Sequence, residues 1–327
     1  MKRTYAIIGS GAVGALYGAW LARAGFEVHF LARSDHEHIR DHGLVIDSVK
    51  GNFALPHVNV YVRPQDMPKC DVAAITLKTT ANAILPDVLP HVVKDNGVVL
   101  VMQNGMGFEE RVAAIAGQRT VLGVLCFVCS NKVAPGHVRH LDFGHITIGQ
   151  YTAGSAVTAG ITAAMKDIAD DFTKAGVSVN LSPDLTAARW KKLVWNVPYN
   201  GLSVALGAMT DSLMKNPHSR GLVERLMREV CAGAAACGHP IEEGFIEEML
   251  SYTDSMTPYA TSMKIDFDAK RPMEVESIFG APLEAVKKAG KAGKDLPLLS
   301  MLYDELKFLD EKNLTPAPSP PGEGRLV

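Results

Sequence analysis

The chain has little of what marks membrane-spanning, secreted or nucleic-acid-bound proteins. No apolar run in its 327 residues reaches the roughly 18 residues of a membrane-spanning helix. Basic and acidic residues nearly cancel, 33 against 35, for a net charge of −2. That balance argues against a nucleic-acid or anionic-membrane partner, which would want a basic surface. Cysteine is scarce and odd in number, with Cys70, Cys126, Cys129, Cys231 and Cys237 mostly inside apolar runs. Cys126 and Cys129 have CxxC spacing, but in a strand-like run they face opposite sides. Buried free thiols in a reducing compartment follow, which points to the cytoplasm. His137 and His140 flank Val138-Arg139, and no HExxH or Cys/His ligand set appears, so no metal is expected. Ser10 sits in Gly9-Ser10-Gly11 rather than in a GxSxG elbow, which argues against a hydrolase. No internal repeat is visible.

What is present is the composition of a globular protein, 47% hydrophobic and 21% charged, long enough to favour two domains. Lys2-Arg3 and the apolar stretch behind them could pass for a leader. A better explanation is Gly9-Ser10-Gly11-Ala12-Val13-Gly14, set between a buried strand ending at Ile8 and a helix from Ala12 to Ala24. Gly25 stops that helix, and a second strand runs from Glu27 to Ala32. Strand, Gly-rich turn, helix and strand within about 30 residues make a dinucleotide fingerprint. Gly9 permits the turn, Gly11 lets the backbone approach a pyrophosphate, and Gly14 lets helix and strand pack closely. Phosphates would meet free N–H groups and the positive helix end.

The end of the second strand selects the cofactor. An NAD site usually places Asp or Glu there, about 20 residues past the glycines, on the ribose 2′-hydroxyl. Here Arg33-Ser34 stands in that place, and a guanidinium suits a 2′-phosphate. NADP is therefore expected, unless Arg33 is only a solvated charge. Asp35 comes two residues late and reads as the cap of a short helix, His36 to Asp41.

Further apolar strands follow. Leu44 to Asp47 and Phe53 to Val62 surround a turn at Lys50-Gly51-Asn52, Val72 to Leu77 ends in Lys78, and Val98 to Met102 ends in Gln103-Asn104. Ligands of open parallel sheets bind beyond the carboxyl ends of the strands, so Arg33, Lys78 and Asn104 should line one crevice. Residues 121–150 read as strands broken by turns at Asn131-Lys132 and Pro135-Gly136. A helix over 159–175 and a strand over 177–181 complete the first half. From Asp184 the pattern is helical.

The strongest signal in that helical half is the run from Trp190 to Asn200. Lys192, Asn196 and Asn200 fall at i, i+4 and i+8, on one helix face. Their neighbours are nearly all apolar or aromatic, so the helix is buried and its polar stripe lies inside the protein, where a lysine needs a partner or a task. Lys191 is the better surface lysine. Pro198 removes a helix hydrogen bond and should bend the helix near Asn196.

Taken together, these segments resemble the ketopantoate reductases (2-dehydropantoate 2-reductases) over nearly the whole chain. The anchors are the Gly9 fingerprint, Leu77-Lys78, Asn104-Gly105-Met106-Gly107, Trp190-Lys191-Lys192-Leu193 with Asn196 and Asn200, and Ser262-Met263 followed by Glu274. The resemblance implies a Rossmann-type dinucleotide-binding domain followed by an all-helical domain, and NADPH-dependent reduction of ketopantoate to pantoate. It implies that Lys192 is the proton donor, that Asn196, Asn200 and Ser262 bond the substrate, and that Asn104 lies between nicotinamide and substrate. It gives Glu274 as the acidic partner near the cofactor and Lys192. Gly9, Ser10, Gly11, Ala12, Val13, Gly14, Arg33, Lys78 and Cys129 fall to the cofactor. Thr210 and Tyr259 stand where the family often has asparagine, and Glu276-Ser277-Ile278-Phe279-Gly280 replaces a stretch that commonly carries Asp and Asn-Gly. The substrate pocket thus departs from the pattern, which leaves a related 2-oxo acid or ketone open.

The expected organisation is an α/β NADP-binding domain over 1–182, a helical substrate and catalytic domain over 183–314, and a disordered Pro-rich tail over 315–327. The expected partner is a small 2-oxo acid, with neither nucleic acid nor membrane. Leu222, Leu226 and Met227 could be core or dimer surface, which leaves a homodimer open. Outside enzymes, the remaining reading is an NADP(H)-sensing module, against which Lys192 and Glu274 weigh because a sensor needs neither.

Overall fold

A computed structural model describes residues 2–153, 158–290 and 296–315 of the chain. The expected tail lies outside the described residues from 316 onward. The opening strand β1 (Thr4–Ile8) is buried on both sides, and its side chains alternate between two cores. Tyr5 and Ile7 join one core, Ala6 and Ile8 the other. Helix α1 (Ala12–Arg23) leads to β2 (Glu27–Leu31), α2 (His36–His42), β3 (Leu44–Ser48), β4 (Phe53–Leu55) and β5 (Asn59–Tyr61). Then come β6 (Cys70–Ile75), α3 (Leu85–Val92), β7 (Val93–Val101), α4 (Glu109–Ala116), β8 (Thr120–Ala134), β9 (His137–Gln150), α5 (Ala163–Lys174) and β10 (Val179–Leu181). These strands form one sheet of order β4-β3-β9-β8-β7-β6-β1-β2-β5, with β10 paired to β9.

From β5 to β8 all neighbours run parallel. The chain leaves β1 toward β2 on one side and reaches β6 on the other, so strand order reverses beside β1. That reversal opens a crevice at the carboxyl ends of the strands. Helices α1 and α5 cover the face of Tyr5 and Ile7, and α3 and α4 cover the face of Ala6 and Ile8. A Cβ on Gly14 would collide with the Gly9 carbonyl and the Thr76 hydroxyl, so only glycine lets α1 rest on the sheet.

Several local expectations need correction. The Phe53 to Val62 run is two short strands, because β4 pairs antiparallel with β3 while β5 joins β2; Pro56 between them has no N–H for a ladder. Asn131-Lys132 is not a turn but part of β8, which forms one long hairpin with β9 around Pro135-Gly136. The helix expected from 159 starts at Ala163, where the Thr162 side chain caps it. Asp35 does not cap α2 with its side chain; Lys132 takes its carboxylate at 2.8 Å.

After residue 184 the described residues hold no strand. Helix α6 (Leu185–Ala205) is followed by α7 (Thr210–Lys215), α8 (Pro217–Ala236), α9 (Phe245–Ser255), α10 (Ser262–Asp268), α11 (Ala281–Lys288) and α12 (Pro297–Leu314). The Asp184 side chain caps α6 by accepting from Ala187 N, and Pro198 lies within the helix without ending it. Trp190, Leu193, Val194 and Val197 of α6 form the centre of a third core, with Val223 and Met227 of α8 and Leu302 and Leu306 of α12. Contacts from α6 to α8, α10 and α12 on one side and to β8 and β9 on the other make it the joint between the halves.

Candidate active site

One cavity of about 1360 Å³ runs between the sheet edge and the helical half. Its floor on the sheet side is the turn after β1, where Gly9 has φ of +106°. Gly9, Ser10, Gly11, Ala12 and Val13 line it. Gly14 packs beneath, as described. No side chain caps the start of α1, which leaves its first-turn N–H groups for an incoming anion. Nothing lies within 4 Å of a Cβ placed on Gly11, so there is room over the turn.

The next strand ends supply side chains. Arg33 follows β2, is exposed, and lines the cavity. Asp35 beside it is buried and committed: Lys132 donates to both its oxygens at 2.9 and 2.8 Å, Ser34 Oγ at 3.0 Å, and Gly136 N at 3.4 Å. Burial alone would raise the Asp35 carboxyl, but Lys132, with Ser34 and the Gly136 N–H, holds the group below its usual range. Beyond β6, Thr76 Oγ1 donates to Gly9 O at 2.7 Å and fastens the turn. Lys78, two residues on, lies 2.8 Å from Asp266 and 3.4 Å from Glu274. Burial pulls its ammonium down, but Glu274 and Asp266 more than reverse this, so its pKa is raised. Cys129 lines the cavity where the β8–β9 register shifts, and such bulges re-aim backbone groups near binding sites.

The helical side presents the stripe. Lys192, Asn196 and Asn200 are 9%, 6% and 3% exposed, and all three line the cavity. Lys192 Nζ donates to Asn104 Oδ1 at 2.9 Å and to the Cys126 carbonyl at 2.7 Å, and sits 5.1 Å from the centre of the Phe127 ring. Burial lowers its pKa to about 8, with Arg189 pulling the same way and Glu274 opposing. The amide Nδ2 of Asn196 and Oδ1 of Asn200 are buried without hydrogen-bond partners among the described residues. Buried polar atoms of this kind call for a partner from outside the chain. Ser262, the first residue of α10, and Glu274 also border the cavity.

Glu274 acts on Lys192 by charge rather than by a direct hydrogen bond. Its carboxylate accepts from Thr79 N at 2.8 Å and pairs with Lys78, whereas Lys192 is held by Asn104 and Cys126. Asp266 and Thr79 were absent from the expected set, and so was Arg189, which is buried and ion-paired with Glu109 at 2.6 Å. Arg189 could have been found from spacing alone: it stands at i−3 from Lys192, on the same side of an otherwise apolar helix. Thr210 does not line the cavity but exchanges hydrogen bonds with the backbone of Tyr259. Tyr259 does line it.

A phosphate-ready turn facing a buried amine defines a dinucleotide-dependent oxidoreductase, and comparison with known proteins makes the class specific. The family model described as ketopantoate reductase PanE/ApbA matches residues 5–153, and that for its C-terminal part matches 184–310. A 2-dehydropantoate 2-reductase of a Nostoc species is 53% identical over 96% of this chain and 97% of its own. The crystal structure of 2-dehydropantoate 2-reductase from Geobacter metallireducens superposes with a TM-score of 0.87 at 38% identity, covering 94% of this chain and 99% of that one. The Methylococcus capsulatus enzyme gives 0.84 at 31%, covering 96% and 98%. The chain belongs to the ketopantoate reductase family, whose members use a nicotinamide dinucleotide.

Proposed function

We propose that this protein reduces ketopantoate to pantoate with NADPH, a step toward pantothenate and coenzyme A. One observation carries this reading: the Lys192 ammonium is buried at the end of β7, in the same cavity as the phosphate-ready turn. The residues present fit the cofactor. The uncapped α1 start and the open space over Gly11 suit a pyrophosphate, and Arg33 suits a 2′-phosphate. Asp35, two residues past Arg33, is spent on Lys132 and so is not free to choose NAD by bonding a ribose hydroxyl. When bound, reduced nicotinamide supplies a hydride.

The chain's own groups do the rest. Lys192 presents an ammonium where negative charge develops on a ketone oxygen, stabilises that charge and gives it a proton. With its pKa near 8, the amine is mostly charged at neutral pH, yet readily gives up its proton. Asn104 orients the ammonium toward the sheet side. Asn196 Nδ2 offers a neutral donor to the substrate carboxylate, Asn200 Oδ1 an acceptor for a substrate hydroxyl, and Ser262 a further hydroxyl. Glu274 acts through Lys78, holding it at the cavity edge. Free thiols among the described residues fit a cytoplasmic setting.

One feature favours a bulkier 2-oxo acid as a second substrate. Phe143 stacks on Tyr252 at 5.1 Å, and Phe127 on His145 at 4.7 Å. With Tyr259 these rings give the cavity an aromatic wall. Steady-state oxidation of NADPH and NADH across a panel of 2-oxo acids tests both readings. The expected result is the highest kcat/KM for ketopantoate with NADPH, and absence of ketopantoate turnover overturns the proposal.

A further inference from the structure

Arg189 takes no part in that scheme, yet at 2% exposure it is more deeply buried than Lys192. A guanidinium so placed must have every donor answered, since an unpaired buried charge is costly. Its Nε donates to Glu109 Oε1 at 2.8 Å, and its Nη2 lies 2.6 Å from the same oxygen. Nη1 donates to the Gln103 carbonyl at 2.7 Å, and Nη2 to the Val101 carbonyl at 3.3 Å. The Phe108 ring lies 4.8 Å away.

Those partners belong to the last residue of β7, the loop behind it and the first residue of α4. Arg189 belongs to α6. The fork therefore ties the helical half to the strand end that carries Asn104. Gln103 is fixed twice over, because its side chain donates to the Leu77 carbonyl at 2.8 Å and to Asn82 Oδ1 at 2.7 Å. The residue that follows, Asn104, accepts from Lys192, one helical turn past Arg189. On the opposite side of the loop, Met106 N donates to the Ser277 carbonyl.

We propose that Arg189 is a positioning residue for the reduction: its guanidinium fastens the end of β7 to α6 and so sets Asn104 against the Lys192 ammonium. This rests on the reading that Lys192 is the proton donor. The charged and titratable groups facing Lys192 are Cys126 on β8, His145 on β9, Glu274 ahead of α11, and Arg189 on its own helix. Asn104 Oδ1 accepts from the charged form of the amine, so displacing it lowers the amine's pKa.

Two variants test this in the full chain. Arg189→Lys keeps the charge but cannot reach a carboxylate and two carbonyls with one flat fork. The double variant Arg189→Met with Glu109→Gln removes both charges without stranding the acid. In both, kcat with ketopantoate should fall roughly 10- to 100-fold, as expected for a misplaced catalytic group, while NADPH KM stays near wild type. The pKa of Lys192, followed by competitive acetylation and mass spectrometry, should fall in Arg189→Lys, where the charge stays but the Asn104 acceptor is displaced. A merely structural arginine would lower thermal stability and leave both readouts unchanged in the folded protein, which would overturn the proposal. The labelling readout needs no substrate. If the ionisation moves as stated but wild type does not turn over ketopantoate, the substrate reading fails and the positioning role stands.

Discussion

The two halves of the cavity are built in different ways. On the sheet side it offers backbone: a turn with glycine at 9, the uncapped start of α1, and a bulged stretch of β8. On the helical side it offers side chains projecting from one face of α6. A strand end in a parallel sheet is a fixed platform, and any chain with the right glycines can use it. A polar stripe on a buried helix has no such generality, because each group in it must be satisfied or used. On the proposed function, the sheet half sets what kind of cofactor is held, and the helical half what is done beside it.

The contrast breaks first at Lys192. Lys192→Met should cut kcat by roughly 10²- to 10⁴-fold, the span of one general acid, with NADPH affinity measured by fluorescence nearly unchanged. Comparable losses in both would mean the halves are not separable. Next, Arg33→Asp should weaken NADPH binding roughly 10- to 100-fold, the worth of a charge-assisted contact, and leave NADH binding almost untouched; titration of each cofactor checks this. A smaller effect, about tenfold on ketopantoate KM, is expected for Asn196→Ala, from the loss of a single buried donor. Its NADPH KM should not move. Least of all for chemistry, Gly14→Ala should cost about 1–3 kcal/mol of stability through overpacking between α1 and the sheet, seen as a lower urea midpoint.

How legible each half was follows from the same contrast. The strand ends at Arg33, Lys78 and Asn104 are readable because apolar runs, and the polar residues that close them, are local patterns. The stripe on α6 is readable because its spacing is helical and its neighbours apolar. Partnerships across the cavity are not local, and there the sequence misleads. Lys78 and Glu274 stand 196 positions apart in the chain, and nothing in either neighbourhood says they meet. Asp35 looks like a cap because it precedes a helix, but Lys132 is brought to it by the β8–β9 hairpin. Asn131-Lys132 looks like a turn by composition, whereas pairing with β9 keeps it extended. Arg189 was readable by spacing yet hidden by the more suggestive Lys192 beside it.

The central claim is that a buried amine in the helical half protonates the product of a reduction carried out on the sheet side. The proton donor must be charged to act, and burial holds the Lys192 pKa near 8. Reduction should therefore proceed at a constant rate below that pH and slow about tenfold per unit above it. Single-turnover oxidation of bound NADPH by ketopantoate, measured from pH 6 to 10, tests this most directly. A plateau followed by a fall centred about pH 8 is the expected result; a rate that stays level through pH 10 would contradict the account.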